Sequence, residues 1–241
     1  MLRRVFLKAG LAPLVPFTLL AQTTTTKSTV PPILINAGTG GNNTFDLLTR
    51  LDQDCLVHQP ELVLLTVGTN DMNSQKHVPL PQFKKNLIEL VQGIKRINSQ
   101  VGLMTLLPVH EPYLMTRHPP AFYQPEGFPV RIAKMNDTIR DVARQHSLLF
   151  MDMHHIFTQI GQVGEAPESL IQNEANSQKK DGVHPTPEGY RTMAVAVYQA
   201  LTNSSASYRR IVCFGDSITR GDGQPEGKNY PAYLKKLLFG K

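Results

Sequence analysis

Cysteine is scarce in this chain, with only Cys55 and Cys213 among 241 residues. At most one disulfide can form, and no Cys/His spacing fits a structural zinc site. Cys213 falls inside an apolar run and Cys55 near the end of a helical one, so both are expected as buried thiols. No internal repeat is present, and past the N-terminus no stretch is long and apolar enough to span a bilayer. No Gly-x-Ser-x-Gly elbow occurs, which disfavours one common serine-hydrolase architecture. The glycines between Gly38 and Gly41 lack the Gly-Lys-Ser/Thr ending of a phosphate-binding loop.

The formal charge is +6, and Arg3, Arg4 and Lys8 supply half of it. The remaining basic residues are interspersed with acidic ones, so no nucleic-acid partner is implied. A chain of this length, 41% hydrophobic and 18% charged, has the makings of one α/β domain with a sizeable core.

The N-terminus reads as an address. Leu2-Arg3-Arg4-Val5-Phe6-Leu7-Lys8 matches the twin-arginine export pattern, followed by an apolar run over residues 9–21 and a polar stretch over 22–28. The expectation is a signal segment and linker at 1–28, a single domain at 29–241, and export to the periplasm or beyond. The alternative is a basic amphipathic helix. Cleavage is expected after Ala21, where the absence of a following cysteine argues against a lipoprotein.

The rest alternates between short apolar runs and helical spacing. Strands are predicted at 31–36, 61–67, 101–107, 148–153 and 210–214, and helices at 44–56, 83–97, 130–144, 188–201 and 230–238. Continuous apolar strands between helices predict a mostly parallel sheet covered on both faces. In such sheets ligands bind beyond the carboxyl ends of the strands. The unusual polar segments, at 36–43, 69–73, 109–129 and 154–185, all follow strands, so one rim is expected to carry the site. Residues 203–207 read as a linker.

Four segments carry candidate chemistry. Gly215-Asp216-Ser217-Ile218 breaks an apolar strand at a turn, Asn36-Ala37-Gly38-Thr39-Gly40-Gly41-Asn42-Asn43-Thr44 is glycine-rich, and Gly68-Thr69-Asn70-Asp71 and Asp181-Gly182-Val183-His184-Pro185 complete the set. Singly, each also reads as an ordinary turn or cap. Together they resemble the four blocks of the SGNH (GDSL) hydrolases, over roughly residues 31–238. That resemblance implies a flavodoxin-like α/β/α sandwich with a mostly parallel five-stranded sheet. It also implies a serine esterase with Ser217 as nucleophile, His184 as base and Asp181 as its partner. The oxyanion hole would be the N–H groups of Ser217 and Gly41 with the Asn70 side chain. No cofactor or metal is implied.

In the family the serine block comes first, whereas here it comes last with nothing duplicated, which implies a circularly permuted domain. The rival is a truncated tandem repeat, with a monomer or a strand-swapped dimer as the outcome.

His110, Glu111, His154 and His155 share the rim, but their spacing fits no metal pattern. The aromatic loop holding Tyr113, Phe122, Tyr123 and Phe128 either contacts sugar or acyl groups or packs on the domain. The substrate implied is a small acyl ester, an acetyl group on a carbohydrate being favoured, with no stable membrane association of the mature domain. The alternatives are a lysophospholipase, thioesterase or acyltransferase using the same residues, and an inactive acyl-glycan-binding domain.

Overall fold

All five apolar runs expected as strands join one sheet. The computed structural model describes residues 31–204 and 208–240, so the signal expected at 1–28 and most of the 203–207 linker lie outside the described residues. The strands are β1 (Ile33–Gly38), β2 (Leu62–Thr66), β3 (Gln100–Met104), β4 (Leu149–Met151) and β5 (Arg210–Gly215). Every pairing is parallel and the order is β1-β5-β2-β3-β4. The last strand in sequence thus lies between the first two. Counted from β5, the order reads 2-1-3-4-5, that of flavodoxin-like sheets.

The helices are α1 (Thr44–Asp54), α2 (Leu80–Lys95), α3 (Glu111–Leu114), α4 (Phe128–Gln145), α5 (Met153–Ile160), α6 (Glu174–Ser177), α7 (Pro187–Asn203), α8 (Ser217–Arg220) and α9 (Tyr230–Phe239). Successive strand residues face opposite sides of a sheet. The Phe214 ring lies under Arg50 of α1, while neighbouring Cys213 meets Tyr230 of α9. The two helices therefore cover opposite faces. α2 and α4 continue the α1 layer, and α7 packs on α9 in the other, giving an α/β/α sandwich. Each strand of β2 and β5 reads as an apolar run because both faces are covered; β2 is buried throughout.

Boundaries differ from the sequence expectation in physical ways. β1 runs on to Gly38 because its ladder continues to the Gly38–Gly215 pair. β3 stops at Met104 although the apolar run reaches Leu107, since the short β4 offers no further ladder. The segment at 154–185, read as loop, contains α5 and α6. Asp152 caps α5 by accepting from the His155 N–H, and Gly161 closes it at φ 74°. Both cysteines are free and buried. The aromatic loop packs on the domain: Tyr113, Tyr123 and Phe128 are buried, and Phe122 lies edge-on to His77 and Tyr123.

Candidate active site

Because the sheet is parallel, all five carboxyl ends open on one rim, and three of the four sequence blocks leave β1, β5 and β2 there as neighbours. Ser217 follows β5 as the first residue of α8, a single turn capped by Asp216, whose Oδ1 accepts the Ile218 N–H at 2.9 Å. Gly41 follows β1 at φ 76°, left-handed backbone that glycine adopts without strain. Asn70 follows β2, and its Nδ2 donates to the Asn42 carbonyl at 2.9 Å. Asp71 accepts from both the N–H and the hydroxyl of Thr44, so the β2 block is pinned to the start of α1.

The fourth block comes from the loop before α7. The side-chain Oδ1 of Asp181 accepts the N–H groups of Val183 and His184 at 2.9 and 2.7 Å, closing a tight turn. Gly182 is required there: its φ is 72°, and a Cβ would lie 2.8 Å from the His110 carbonyl. The His110 N–H donates to the Gly182 carbonyl and the Gln172 N–H to that of His184, both at 2.8 Å. Arg117, which nothing in the sequence marked, donates to the carbonyls of Lys180 and Asp181 at 3.2 and 2.6 Å.

These elements bring Ser217, His184 and Asp181 into one line. His184 Nε2 lies 2.9 Å from Ser217 Oγ, and its Nδ1 lies 2.9 and 3.0 Å from the two Asp181 oxygens. An ionised carboxylate only accepts, so Nδ1 carries the proton and Nε2 accepts from the Ser217 hydroxyl. Burial alone would raise the Asp181 carboxyl. The hydrogen bond and charge of His184 and the two turn N–H groups outweigh it and hold the group down at about 2. Asp181 is thus an anion at any ordinary pH. The N–H groups of Gly41 and Ser217 have no hydrogen-bond partner among the described residues. Asn70 is at the same rim, although one of its amide hydrogens is committed to Asn42.

Two further carboxyls sit beside this line. Burial pushes Asp216 up to about 7 and Asp71 up to about 6, against the opposing pull of their N–H and hydroxyl donors. Oδ2 of Asp216 is buried without a partner. Among the described residues, no three His, Cys, Asp or Glu side chains converge as metal ligands would; His110 instead approaches Glu165 at 3.4 Å.

A cavity of about 280 Å³ opens over Ser217 and His184. Met72, Val109, Leu114, Tyr123 and Val183 contribute apolar lining, and Asn70, Asn73, Gln75, Arg117 and His118 polar lining. Of the aromatic loop, only Tyr123 reaches it. Carboxylate, imidazole and hydroxyl in this order can generate a serine nucleophile.

Comparison with known proteins decides the family. The model of the GDSL-like lipase/acylhydrolase family matches residues 17–192. The chain belongs to that family. The match spans Gly41, Asn70, Asp181 and His184 and ends before Ser217. This GDSL-family hydrolase is 27% identical over 187 residues to an uncharacterized lipoprotein, YqeF, of Bacillus subtilis, covering 73% of this chain and 74% of that protein. It is 25% identical over 178 residues to an acetylxylan esterase of Geobacillus stearothermophilus, covering 70% and 71%. Among solved structures, a lipase/acylhydrolase from Enterococcus faecalis superposes with a TM-score of 0.53 at 21% identity, over 68% of this chain and 72% of that one. The fold is shared with that solved structure, and the chain is a carboxylic ester hydrolase of the GDSL class.

Proposed function

We propose that this GDSL-family hydrolase is an exported serine esterase that removes small acyl groups, acetyl groups on carbohydrates in particular, through an acyl-enzyme on Ser217. The observation that carries the reading is the 2.9 Å approach of His184 Nε2 to Ser217 Oγ, with Asp181 behind the ring. Ser217 Oγ attacks the ester carbonyl carbon while His184 takes its proton, and Asp181 stabilises the imidazolium formed. The oxyanion faces the N–H groups of Ser217 and Gly41 and the free amide hydrogen of Asn70. Collapse expels the alcohol, protonated by His184. Water then attacks the acyl-enzyme, with His184 as base again, and Ser217 is restored.

The choice of small ester rests on two supports. The cavity is about 280 Å³, at the small end of ligand pockets, and its polar lining suits a polyol leaving group. A relative at 25% identity is an acetylxylan esterase. Export is supported by the twin-arginine pattern and by a lipoprotein relative; among the described residues no helix is long and apolar enough to cross a membrane.

We also propose that residues 29–241 form a single, circularly permuted domain. The order 2-1-3-4-5 counted from β5, and the insertion of β5 between β1 and β2 of its own chain, support this. The test is turnover of p-nitrophenyl acetate and a longer-chain ester by the purified chain and by Ser217→Ala. Acetate hydrolysis abolished in Ser217→Ala and stronger than on the long chain is expected. Wild-type-like turnover by Ser217→Ala would overturn the assignment, and a long-chain preference would favour the lipase-like alternative.

A further inference from the structure

Arg50 occupies a position that the chemistry above does not use. It sits on α1 with a side chain only 14% exposed, over the Phe214 ring at 4.4 Å from its centroid. Its Nη2 donates to the Gly215 carbonyl at 2.8 Å, its Nη1 to the Ala37 carbonyl at 3.0 Å, and its Nε to Asn42 Oδ1 at 2.6 Å. A fourth contact, Nη1 to Asp54 at 3.2 Å, points outward to a half-exposed carboxylate.

The three inward acceptors are not equivalent to arbitrary carbonyls. Gly215 is two residues before Ser217, Ala37 is the penultimate residue of the strand that leads to Gly41, and Asn42 follows Gly41. The Asn42 carbonyl is in turn the acceptor for Asn70 Nδ2. One rigid guanidinium thereby ties together the ends of β1 and β5 and, through Asn42, the end of β2. These are the three segments that supply the oxyanion donors. The contact to Gly215 spans 165 residues of sequence. The ladders set the strand register as far as Gly38, Gly215 and Thr66, and the Thr39 N–H also donates to the Gly215 carbonyl at 3.0 Å; beyond these points Arg50 links the segments that carry Ser217, Gly41 and Asn70. The fork matters: three acceptors are reached by Nε, Nη1 and Nη2 of one guanidinium, whereas an ammonium is a point charge.

We infer that Arg50 is a positioning residue, whose planar fork on Gly215, Ala37 and Asn42 sets the relative placement of the Ser217, Gly41 and Asn70 donors for the tetrahedral intermediate. The inference rests on the serine-esterase reading. It requires no contact between Arg50 and substrate. Loss of the fork leaves Ser217 and His184 in reach of each other, but lets the donor-bearing loops drift. A displacement of about 1 Å, or the loss of one donor, each costs on the order of 100-fold in turnover.

The test uses the full chain with Arg50→Met, Arg50→Lys and Ser217→Ala. The readouts are kcat and KM for p-nitrophenyl acetate and the affinity of phenylboronic acid, whose serine adduct is tetrahedral. In Arg50→Met, kcat and boronate affinity are expected to fall together, by on the order of 100-fold, with KM nearly unchanged. Arg50→Lys should lie between that variant and wild type. A merely structural arginine would shift the melting temperature without this parallel loss. If Arg50→Met does not fold, Arg50→Lys decides by the same pair of readouts. Wild-type kcat and boronate affinity in folded variants, or a loss confined to KM, would overturn the inference. Undiminished turnover in Ser217→Ala would instead overturn the esterase reading, which keeps the two failures distinct.

Discussion

Replacing Asp216 with Asn should make the protein more stable at pH 8 than the wild type, by an amount that shrinks as the pH is lowered. Asp216 is fully buried, and its carboxyl titrates at about 7 against an ordinary 3.8, because burial penalises the charge more than the Ile218 N–H and His184 relieve it. A raised folded-state value means that the folded protein holds its proton longer than the unfolded chain. Stability therefore falls as the pH rises from about 4 through about 7, and is level above that. With those two values, linkage puts the cost of Asp216 at about 2 kcal/mol at pH 5 and about 4 kcal/mol at pH 8. Asn is neutral throughout and keeps the oxygen that accepts the Ile218 N–H. Its amide inherits the unpartnered Oδ2 position, a constant penalty that cancels between the two conditions. Urea unfolding of both proteins at pH 5 and pH 8 should thus show Asp216→Asn gaining about 2–3 kcal/mol on the wild type across the interval. A gap that stays constant within about 0.5 kcal/mol would refute the buried, protonated carboxyl, since that is within the scatter of such extrapolations.

Asp181 has the opposite sign. Held down at about 2, it contributes stability above the ordinary carboxylate range that is lost as the pH falls through about 2, and Asp181→Asn should lose that acid limb in a pH-unfolding scan. The same variant should lower kcat by roughly 1,000- to 10,000-fold, because an amide lets Nδ1 become the acceptor and turns the wrong ring nitrogen to Ser217. Two glycines of the first strand–helix connection should separate packing from strain. Gly38→Ala places a Cβ 2.2 Å from the Arg220 backbone nitrogen and should cost about 1–3 kcal/mol in urea unfolding. Gly41→Ala meets nothing within 4 Å, so at φ 76° it should cost only about 1–2 kcal/mol while lowering kcat/KM for p-nitrophenyl acetate.

The strands and the main helices were legible because both signals are local. A run such as Leu62–Leu65 is apolar at every position since both its faces are covered, and α2 shows its buried side at helical spacing. α5 was missed although its signals were present, because Met153 resumes the apolar pattern just past Asp152, so the aspartate reads as an interruption within a strand and not as a helix cap. The Asp181–His184 pair was equally readable. Three residues apart in a glycine turn, they meet without help from the rest of the chain.

The arrangement of the remaining site is a different matter. Arg117 and the Gly215 and Ala37 contacts of Arg50 carry no mark in the sequence, because the acceptors are backbone carbonyls, and every residue has one. Gly215 becomes an acceptor for Arg50 only once β5 has inserted between β1 and β2, across 165 residues. The same insertion buries Asp216 and sets its titration, since a carboxyl's proton affinity is decided by the dielectric and charges around it and not by its neighbours in the chain. By itself the sequence determined the strands and main helices, the residue types suited to ester chemistry and the Asp181–His184 pair, which is local. Only the tertiary structure decided which strand ends became neighbours, and with them the Ser217–His184 contact, the guanidinium that ties the loops and the charge state of the carboxyls, because each depends on contacts between segments remote in sequence.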